Sequence, residues 1–541
     1  MKMNEYDAHQ QAVLKSQSQN ILVVAGPGSG KTRVLVGSIQ WLTGPPERVA
    51  AITYTNAAAA EVAERIGYRI GFCGTLHSFC LRLLRDNAQA LGLPGSLAVV
   101  DQETADTILA GCVKDLGYRV KHKGRFEARV AAWMPGDYPL NDEERVGALY
   151  YSRLISARMV TFDDILKLTV GFLRKGTMPA PPFDHLLVDE YQDASPVDHE
   201  IYDRLAIPYK FRVGDPDQAI YGFRGGDVTC MLHLAAQAEK HVLRTNYRSV
   251  PAICEAADRL IDHNLGRIKK TMTPARASGP EQRVFIDGFR TERDELYHVF
   301  LMCRDHRGGV AVLTRTNRLA DLVAGYLDEN GLKVMRPITE TRPPDWRMAK
   351  LILCLMTDPE NNVVASIIMR ERHGAKAADD AYAAAMAAGQ VLCQAEPVED
   401  IEAALELLCP QVSPETMMQV RALRNALPPG ATVSDLLLAM EKTTPNAKYE
   451  AEDGDVTVST IHAAKGREWG AVVLPGWNEG VLPSSLDTDP AALEEERRLA
   501  YVAMTRAKDW LYISHADRRD SGWGRGEQEF PRSRFIAEAG L

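Results

Sequence analysis

Residues 20–35, NILVVAGPGSGKTRVL, decide the fold of this chain of 541 residues. They combine an apolar run typical of a buried strand, a glycine-rich turn and a helix start around one lysine. Glycines in such a turn let backbone N–H groups converge on an anion, and the positive end of the following helix adds to the attraction. Lys31 is expected to reach the β- and γ-phosphates of a nucleotide, with the Thr32 hydroxyl on Mg²⁺. The stretch therefore predicts a phosphate-binding loop.

This loop departs at one position from the usual GxxxxGK[ST] pattern, because Ala25 stands where the first glycine is expected. An ordinary glycine turn of an α/β domain is the alternative interpretation. It explains the glycines but not the presence of Lys31 and Thr32 together. The further residues expected to cradle the phosphates are Gly26, Gly28, Ser29 and Gly30.

The composition is ordinary for a globular protein, with 25% charged and 45% hydrophobic residues. A chain of this length exceeds one core and predicts about three or four folding units. The nine cysteines are scattered without a CxxC pair, which argues against a disulfide framework and a zinc or iron–sulfur site. A polar N-terminal segment, and no apolar run near the roughly 18 residues of a membrane span, predict a cytoplasmic protein.

Lysine and arginine number 63 and aspartate and glutamate number 72, so the net charge is −9. This total does not exclude a polyanionic partner, because the local charge of a cleft sets its affinity for phosphates. The densest basic run, RVKHKGR at 119–125, is a candidate phosphate-facing strip, and a solvated surface loop is the alternative.

Short apolar strands alternate with helical stretches through residues 20–85, and strand patterns return at 185–188 and 210–213. This alternation predicts an α/β domain. Residues 86–180 carry helical periodicity and end in the PAPP breaker at 179–182, which predicts an inserted helical domain.

A second α/β unit is predicted from about Lys240, with strands at 309–313 and 456–459. It is interrupted at 346–451 by a helix-rich stretch. This stretch contains an alanine run at 375–388, whose helix propensity is high.

Asp189 and Glu190 directly follow the apolar run HLLV. In a nucleotide hydrolase, Asp189 can hold Mg²⁺ through water while Glu190 polarises the attacking water. Paired carboxylates are common on surfaces, so the interpretation depends on the strand before them and on the Lys31 loop. The next strand leads into GDPDQ and places Gln218 at the same sheet edge, where it can sense a γ-phosphate or orient water.

Three more residues complete the candidate catalytic set: Arg248 in NYRS, Glu468 in AKGREW and Arg506 in TRAK. Phosphoryl transfer builds negative charge on equatorial oxygens. Arginines brought from a second domain can therefore stabilise the transition state and tie hydrolysis to domain closure. An isolated arginine is usually a surface or salt-bridge residue, and only the order of all these motifs singles out these two.

Taken together, the motifs closely resemble those of the UvrD/Rep/PcrA family of superfamily 1 helicases. The matching segments, in family order, are AGPGSGKT (25–32), TYTNAAAAEV (53–62), GTLHSFCLRLL (74–84), TFDDIL (161–166), VDEYQD (188–193), VGDPDQAIYGFRG (213–225), NYRS (246–249), LTRTN (313–317), VSTIHAAKGREW (458–469) and RRLAYVAMTRAK (497–508).

This resemblance implies an α/β fold of two RecA-like parallel-sheet P-loop domains, each interrupted by a mainly helical inserted domain. The implied divisions are 1–85 with 185–240 for the first RecA-like domain (1A), 86–184 for its insertion (1B), 241–345 with 452–541 for the second RecA-like domain (2A), and 346–451 for a reduced second insertion (2B).

The resemblance also implies that ATP and Mg²⁺ are the ligands of the first site. Gln10 would read adenine, Arg33 and Tyr247 would flank the base, and Glu468 would take the ribose. Lys31, Thr32, Asp189, Glu190, Gln218, Arg248 and Arg506 keep the roles argued above.

Single-stranded DNA is the implied partner, and a second set of positions is similar to the family's strand contacts. Aromatic rings there offer base stacking of roughly 1–3 kcal/mol per base with little sequence preference. These positions are Tyr54, Asn56, His77, Phe223, Arg224, Arg315, Asn317 and His462.

The chain departs from the family at several positions. Phe223 stands where tryptophan is general, and Ala57 stands where lysine is usual, which removes one phosphate contact. The second insertion is short and lacks the GIG-type hairpin sequence used on duplex DNA, with Arg372, His373 and Gly374 as the nearest approach.

The leading hypothesis is an ATP-driven motor that moves along single-stranded DNA, by resemblance 3′ to 5′, and separates duplex at single/double-strand junctions, in DNA repair or replication. A translocase that displaces bound proteins with little unwinding is the alternative, which the short second insertion favours. A nucleotide-gated binding module without turnover is disfavoured by intact Lys31, Glu190, Gln218 and both arginines. A kinase or GTPase would leave the aromatic loop and the paired arginines unexplained. No protein partner can be identified from these residues.

Overall fold

The structure is a computed structural model that describes residues 3–541 except 96, 101, 122, 134–137, 223–224, 278, 280–283, 307–308, 337–342, 344, 358–363, 366, 370–397, 399, 429, 443–455, 485–488 and 521–525. Phe223, Arg224, the positions 372–374 and the alanine run at 375–388 therefore lie outside the described residues.

The strands fall into two large parallel sheets and two small pairs. In chain order they are β1 (Asn20–Ala25), β2 (Val49–Thr53), β3 (Phe72–Thr75), β4 (Ala98–Val100), β5 (Met159–Thr161), β6 (His185–Val188), β7 (Tyr209–Gly214), β8 (Glu239–Leu243), β9 (Thr245–Asn246), β10 (Thr273–Pro274), β11 (Val284–Thr291), β12 (Val310–Thr314), β13 (Val334–Met335), β14 (Val456–Thr460), β15 (Trp469–Leu474), β16 (Ala507–Asp520) and β17 (Glu527–Glu529).

The first sheet has the strand order β3-β2-β6-β7-β1-β8, with every pair parallel. Its strands β1, β2 and β6 are nearly continuous apolar runs, as expected where helices cover both faces of a parallel sheet. Along β1, Leu22 and Val24 point into the core on one face, while Ile21 and Val23 point into the core on the other. The last strand, β8, continues to Leu243, beyond residue 240.

The second sheet has the order β11-β16-β15-β12-β14-β13, and β17 pairs antiparallel with the end of β16. Its central strand β12 repeats the two-sided burial. Ala311 and Leu313 lie in the core of one face, and Val310 and Val312 in that of the other. The predicted α/β fold with two parallel sheets is confirmed.

Helices connect these strands and form the inserted regions. The α-helices are Ala8–Lys15, Lys31–Trp41, Asn56–Ile66, Leu76–Asp86, Ala88–Leu91, Gln102–Asp115, Lys123–Ala132, Asp142–Ser156, Phe162–Arg174, Pro196–Arg204, Val228–Leu234, Pro251–Ile261, Glu292–Asp305, Asn317–Glu329, Trp346–Thr357, Ile401–Leu408, Pro414–Asn425, Val433–Lys442, Pro490–Met504 and Arg534–Glu538. Short 3₁₀ helices span Met3–Glu5, Pro46–Arg48, Tyr191–Asp193, Pro216–Gln218 and Cys409–Gln411.

The two helical regions, one within each half of the chain, share a single apolar core. Val130 and Leu154 of the first region and Leu353 and Leu436 of the second are buried in it together. The buried thiol of Cys354 donates to the Val99 carbonyl across the contact, at 3.0 Å. The second helical region therefore packs on the first, although it is inserted into the other sheet domain.

Within the described residues, no helix combines the length and the apolar character that a membrane span requires. Every cysteine that the structure describes is a free thiol. The described side chains also include no cluster of three or more histidine, cysteine or acidic residues suited to a metal ion.

Candidate nucleotide site and nucleic-acid surface

The phosphate loop leaves β1 at Ala25 and enters the helix Lys31–Trp41. Gly28 and Gly30 have φ values of +66° and +82°, which other residues rarely adopt. The Ser29 hydroxyl donates to the Gly26 carbonyl at 2.7 Å and closes the turn. The loop is thus a tight turn that leads into the helix N-terminus, where backbone N–H groups have no partner within the helix.

Two neighbouring segments hold this loop in place. Gln10 is buried, and its side-chain amide donates to the Ser29 carbonyl at 3.0 Å. On the opposite side, the Asn246 amide donates to the Pro27 carbonyl at 2.9 Å, and the Tyr247 N–H donates to the Gly28 carbonyl at 2.9 Å. The segment that carries Arg248 therefore lies directly against the phosphate loop.

The carboxylate pair follows β6, which lies between β2 and β7 in the centre of the sheet. Lys31 Nζ lies 3.3 Å from Glu190 Oε2, and the Glu190 N–H donates to Asp189 Oδ1 at 2.9 Å. Burial and the adjacent Glu190 carboxylate raise the pKa of Asp189. Burial also acts to raise the pKa of Glu190, but the charges of Lys31 and Lys465 outweigh it and lower that pKa, so Glu190 is the ionised member.

Gln218 lies in the 3₁₀ turn after β7, and a second glutamine connects it with the carboxylates. Gln218 Nε2 donates to Asp215 Oδ2 at 2.5 Å. The Asp215 N–H donates to Gln192 Oε1 at 2.8 Å, and Gln192 Nε2 donates to Glu190 Oε2 at 2.6 Å. Glu190 and Gln218 are therefore linked through Gln192 and Asp215.

Both predicted arginines approach this site from the second domain. Arg248 donates to Glu468 at 2.5 Å and to the Thr505 carbonyl at 3.1 Å. Arg506 is buried and donates to the carbonyl groups of Val502 and Arg467, at 3.0 and 3.2 Å. Burial, together with the charge of Arg248, lowers the pKa of Arg506 to about 9, so it is still a cation near pH 7.

The residues expected to contact the base and the ribose all bind other protein groups in this structure. The Tyr247 ring is exposed, and its hydroxyl donates to Asp7 at 2.7 Å. Arg33 lies over the Tyr6 ring and donates to the Glu5 carbonyl at 2.6 Å. Glu468, expected at the ribose, is paired with Arg248 and with Lys508.

Hydroxyl and carboxylate oxygens are the donors that Mg²⁺ prefers, and Thr32, Asp189 and Glu190 supply them beside the loop. A Cβ added at Gly28 or Gly30 would press on Arg248 or Gln10, so these glycines allow the neighbouring segments to lie close against the loop. The residues present therefore fit a nucleotide with a magnesium ion.

A separate surface lies where β2, β3, β12 and β14 end. The sequences TYTN after β2 and TRTN after β12 form the same turn. In each, the first threonine hydroxyl donates to the carbonyl of the second threonine, at 2.9 and 3.0 Å. In each, the second threonine caps the helix that begins at the asparagine, which is Asn56 in one and Asn317 in the other. The two sheets thus present equivalent asparagines at one end of their strands.

Aromatic side chains on this surface are paired. Tyr54 stacks on Tyr221, with ring centroids 5.3 Å apart and planes 14° apart, and Lys465 Nζ lies 4.8 Å from the Tyr221 centroid. His77 stacks on Phe162 at 3.5 Å. Aromatic side chains of this kind can stack with nucleic-acid bases.

Arg315 and His462 line a cavity of about 360 Å³ with Glu495 and Glu496. Arg315 is paired with Glu496 at 2.7 Å, so its charge is compensated in this structure. The Gly222 N–H donates to Glu495 at 3.1 Å, which ties the turn after Gln218 to the second domain.

Sequence reasoning did not single out several residues that connect these sites. Gln192 could have been noticed because it lies two residues after Glu190. Asp193, Asp215, Asp217 and Lys465 lie within the quoted motifs but were not assigned a role there. Arg267 and Lys270 lie outside every quoted motif.

Two family models together match most of the chain. The model described as the UvrD/REP helicase N-terminal domain matches residues 6–239. The model of the UvrD-like helicase C-terminal domain matches residues 241–338 and 432–518, leaving out most of the second helical region. These matches confirm the resemblance drawn from the motifs.

Curated relatives align over nearly the full length. A protein named ATP-dependent DNA helicase PcrA from Leuconostoc citreum is 29% identical, over 96% of this chain and 82% of its own length. A protein of the same name from Bacillus subtilis (strain 168) is 27% identical, over 98% and 85%. The probable DNA helicase II homolog of Rickettsia felis is 28% identical, over 98% and 94%.

Proposed function

The chain belongs to the UvrD/Rep helicase family, and we propose that it is an ATP-dependent DNA helicase that moves 3′ to 5′ along single-stranded DNA. The observation that carries this proposal is the approach of the Arg248 segment to the phosphate loop, opposite the Lys31–Glu190 pair. Groups from two sheet domains then act on one nucleotide.

We assign the chemistry of this site to the residues around the loop. Bound ATP with Mg²⁺ supplies the electrophilic γ-phosphoryl group. The loop N–H groups and Lys31 are assigned to the phosphates, and Thr32 and Asp189 to the ion. Glu190, whose pKa is lowered by Lys31 and Lys465, stays ionised and can orient a water molecule and accept its proton.

Arg248 and Arg506 complete the site from the second domain, where they can stabilise the charge of the transition state. In this structure both arginines are held by local partners. Nucleotide binding would compete with Glu468 for Arg248. Hydrolysis would therefore change how the two domains are held together, which is the requirement for a motor.

We propose that the surface at the ends of β2, β3, β12 and β14 carries the DNA strand. Its equivalent asparagines and the Tyr54–Tyr221 pair support this, since both sheets contribute to one track. Phe223 and Arg224, which follow Gln218 by five and six positions in the sequence, are proposed strand contacts as well. Action at single/double-strand junctions in the cytoplasm, with Mg²⁺ as the ion, belongs to the same proposal.

The test is ATP hydrolysis with and without single-stranded DNA, RNA or duplex, followed by strand displacement on substrates with a 3′ or a 5′ tail. We expect stimulation by single-stranded DNA and unwinding from the 3′ tail. Unwinding only from the 5′ tail would overturn the direction. Absence of DNA-stimulated hydrolysis would overturn the motor itself.

A translocase that removes proteins with little unwinding is the second candidate. The packing of the short second helical region against the first favours it, because that region is then less available to duplex DNA. Streptavidin displacement from a biotinylated single strand, without strand displacement at equal ATP turnover, would support this candidate over the first.

A further inference from the structure

A buried ion cluster connects the two sheet domains beside the nucleotide site. Lys270 Nζ lies 2.6 Å from Asp215 Oδ1 and also contacts Asp217. Arg267 Nη2 lies 2.8 Å from Asp217 Oδ2. The side chains of all four residues are at most 2% exposed.

The cations and the carboxylates of this cluster belong to different domains. Asp215 and Asp217 follow β7 of the first sheet. Arg267 and Lys270 follow the helix Pro251–Ile261, whose apolar face lies in the core of the second domain. The buried part of the cluster is therefore an interdomain contact of two positive and two negative charges, and Arg267 also contacts the exposed Asp262 of its own segment.

Such a contact is an inefficient way to gain stability. Taking four charges out of water carries a large desolvation cost, and apolar side chains of similar volume often stabilise a fold as well or better. A buried ionic contact has instead a strict geometric requirement, since either half left alone is an uncompensated charge. It distinguishes one arrangement of the domains from others.

The cluster also leads directly to the catalytic groups. Asp215, which binds Lys270 with Oδ1, accepts the Gln218 amide with Oδ2. The Asp215 N–H donates a hydrogen bond to the Gln192 side-chain oxygen, and the Gln192 amide nitrogen donates to Glu190. A displacement of Asp215 would therefore shift both Gln218 and the partner of Glu190.

We propose that Lys270 is a positioning residue for ATP hydrolysis, which acts from the second domain by fixing Asp215 and thereby the Gln218 amide and the Gln192–Glu190 pair. Arg267 holds Asp217 in the same way and keeps the turn between Asp215 and Gln218 in place. The inference rests on the proposed function, because it assumes that this site hydrolyses ATP.

The experiment compares steady-state ATP hydrolysis, with saturating single-stranded DNA, in the full-length protein and its variants. We expect Lys270→Met to lower kcat about tenfold or more while KM for ATP changes by about twofold or less, because misplacement of catalytic groups affects turnover more than phosphate binding. Lys270→Arg, which keeps the charge, should restore most of kcat.

Arg519→Met is the matched control for the loss of a buried cation. Arg519 is 3% exposed and pairs with Glu292 and Glu295, entirely within the second domain. The Arg519→Met variant should lower the melting temperature as Lys270→Met does, but its kcat should stay within about twofold of that of the unmutated protein. An equal loss of kcat in both variants would overturn the proposal, since it would then reflect stability alone.

The double variant Lys270→Met/Asp217→Asn covers the case in which the single variant folds poorly. It removes one cation and one anion, so the charge of the pocket is balanced, while Asp215 still lacks its lysine. A loss of kcat that persists supports the proposal, and full recovery overturns it. If the unmutated protein shows no DNA-stimulated hydrolysis, the proposed function itself fails, whereas normal turnover in Lys270→Met overturns only this inference.

Discussion

A Cβ atom on Gly28 would lie 2.6 Å from the Cβ atom of Arg248. The phosphate loop and the arginine segment are thus in backbone contact, without space for even a methyl group between them. This contact places Arg248, the proposed transition-state arginine, next to the phosphate loop, and it makes Gly28 sensitive to the smallest substitution.

We expect Gly28→Ala to weaken ATP binding and to lower kcat, because it adds both strain at positive φ and a clash with Arg248. Fluorescence titration with a labelled ATP analogue and steady-state turnover measure the two effects. Gly67→Ala is the control for positive-φ strain outside the loop, since Gly67 has φ +79° with nothing within 4 Å of an added Cβ, and it should leave ATP binding unchanged. Equal effects of both variants on ATP binding would show that general destabilisation, and not the contact with Arg248, is responsible.

Glu190→Gln should reduce DNA-stimulated kcat by about 100-fold or more while ATP still binds, because the amide cannot accept a proton from water. Lys31→Ala should remove both binding and turnover. Rapid-quench hydrolysis and equilibrium nucleotide binding provide the two readouts. Hydrolysis by Glu190→Gln at the unmutated rate would mean that another group is the base.

Tyr221→Ala should weaken binding of single-stranded DNA by about 1–3 kcal/mol, the range for loss of one stacking platform. Nucleotide binding should be unchanged, since Tyr221 stacks on Tyr54 on the strand surface. Fluorescence anisotropy with a labelled oligonucleotide measures the change. Tyr297→Ala, at an exposed tyrosine of the second domain, is the control and should leave DNA affinity unaltered.

His199 gives a prediction about pH and stability. Burial lowers its pKa to about 4, below the 6.5 of an exposed histidine. The unfolded chain therefore binds a proton between those values that the folded chain does not, and stability falls as pH decreases from about 6.5 towards 4. From about pH 7 to about pH 5, this amounts to roughly 1–2 kcal/mol.

His199→Phe should remove that contribution while it keeps a ring against Tyr191, whose centroid lies 4.4 Å away. Urea denaturation followed by fluorescence at both pH values measures the difference. If the variant loses as much stability as the unmutated protein on acidification, other groups are responsible.

The sequence predicted those site residues that directly follow strands. Lys31, Asp189 and Gln218 come after β1, β6 and β7, which are neighbours in the sheet, so their proximity follows from strand order at one sheet edge. Asn56 and Asn317 were identified through the family resemblance alone, and the structure shows that each begins a helix capped by the preceding threonine.

Contacts between distant segments were not predictable in this way. Lys270 meets Asp215 across 55 positions of sequence, and Lys465 meets Asp193 across 272. A lysine in a loop has the same local sequence signature whether it is solvated or buried against carboxylates. The common core of the two helical regions was also missed, since an amphipathic helix shows that a face is buried but not against what.

The packing of the second helical region on the first limits how far the two sheet domains can separate. Leu438 belongs to the helical region inserted into the second sheet domain, but it is buried in the core of the first sheet domain. The insertion therefore connects the two sheet domains through packing as well as through the chain. If the two sheets separate, the chain segments before and after Leu438 that lead back to the second sheet can span no more than about 3.3–3.6 Å per residue. The length of those connections, and not only the ATP cleft, sets the greatest distance that one cycle can open.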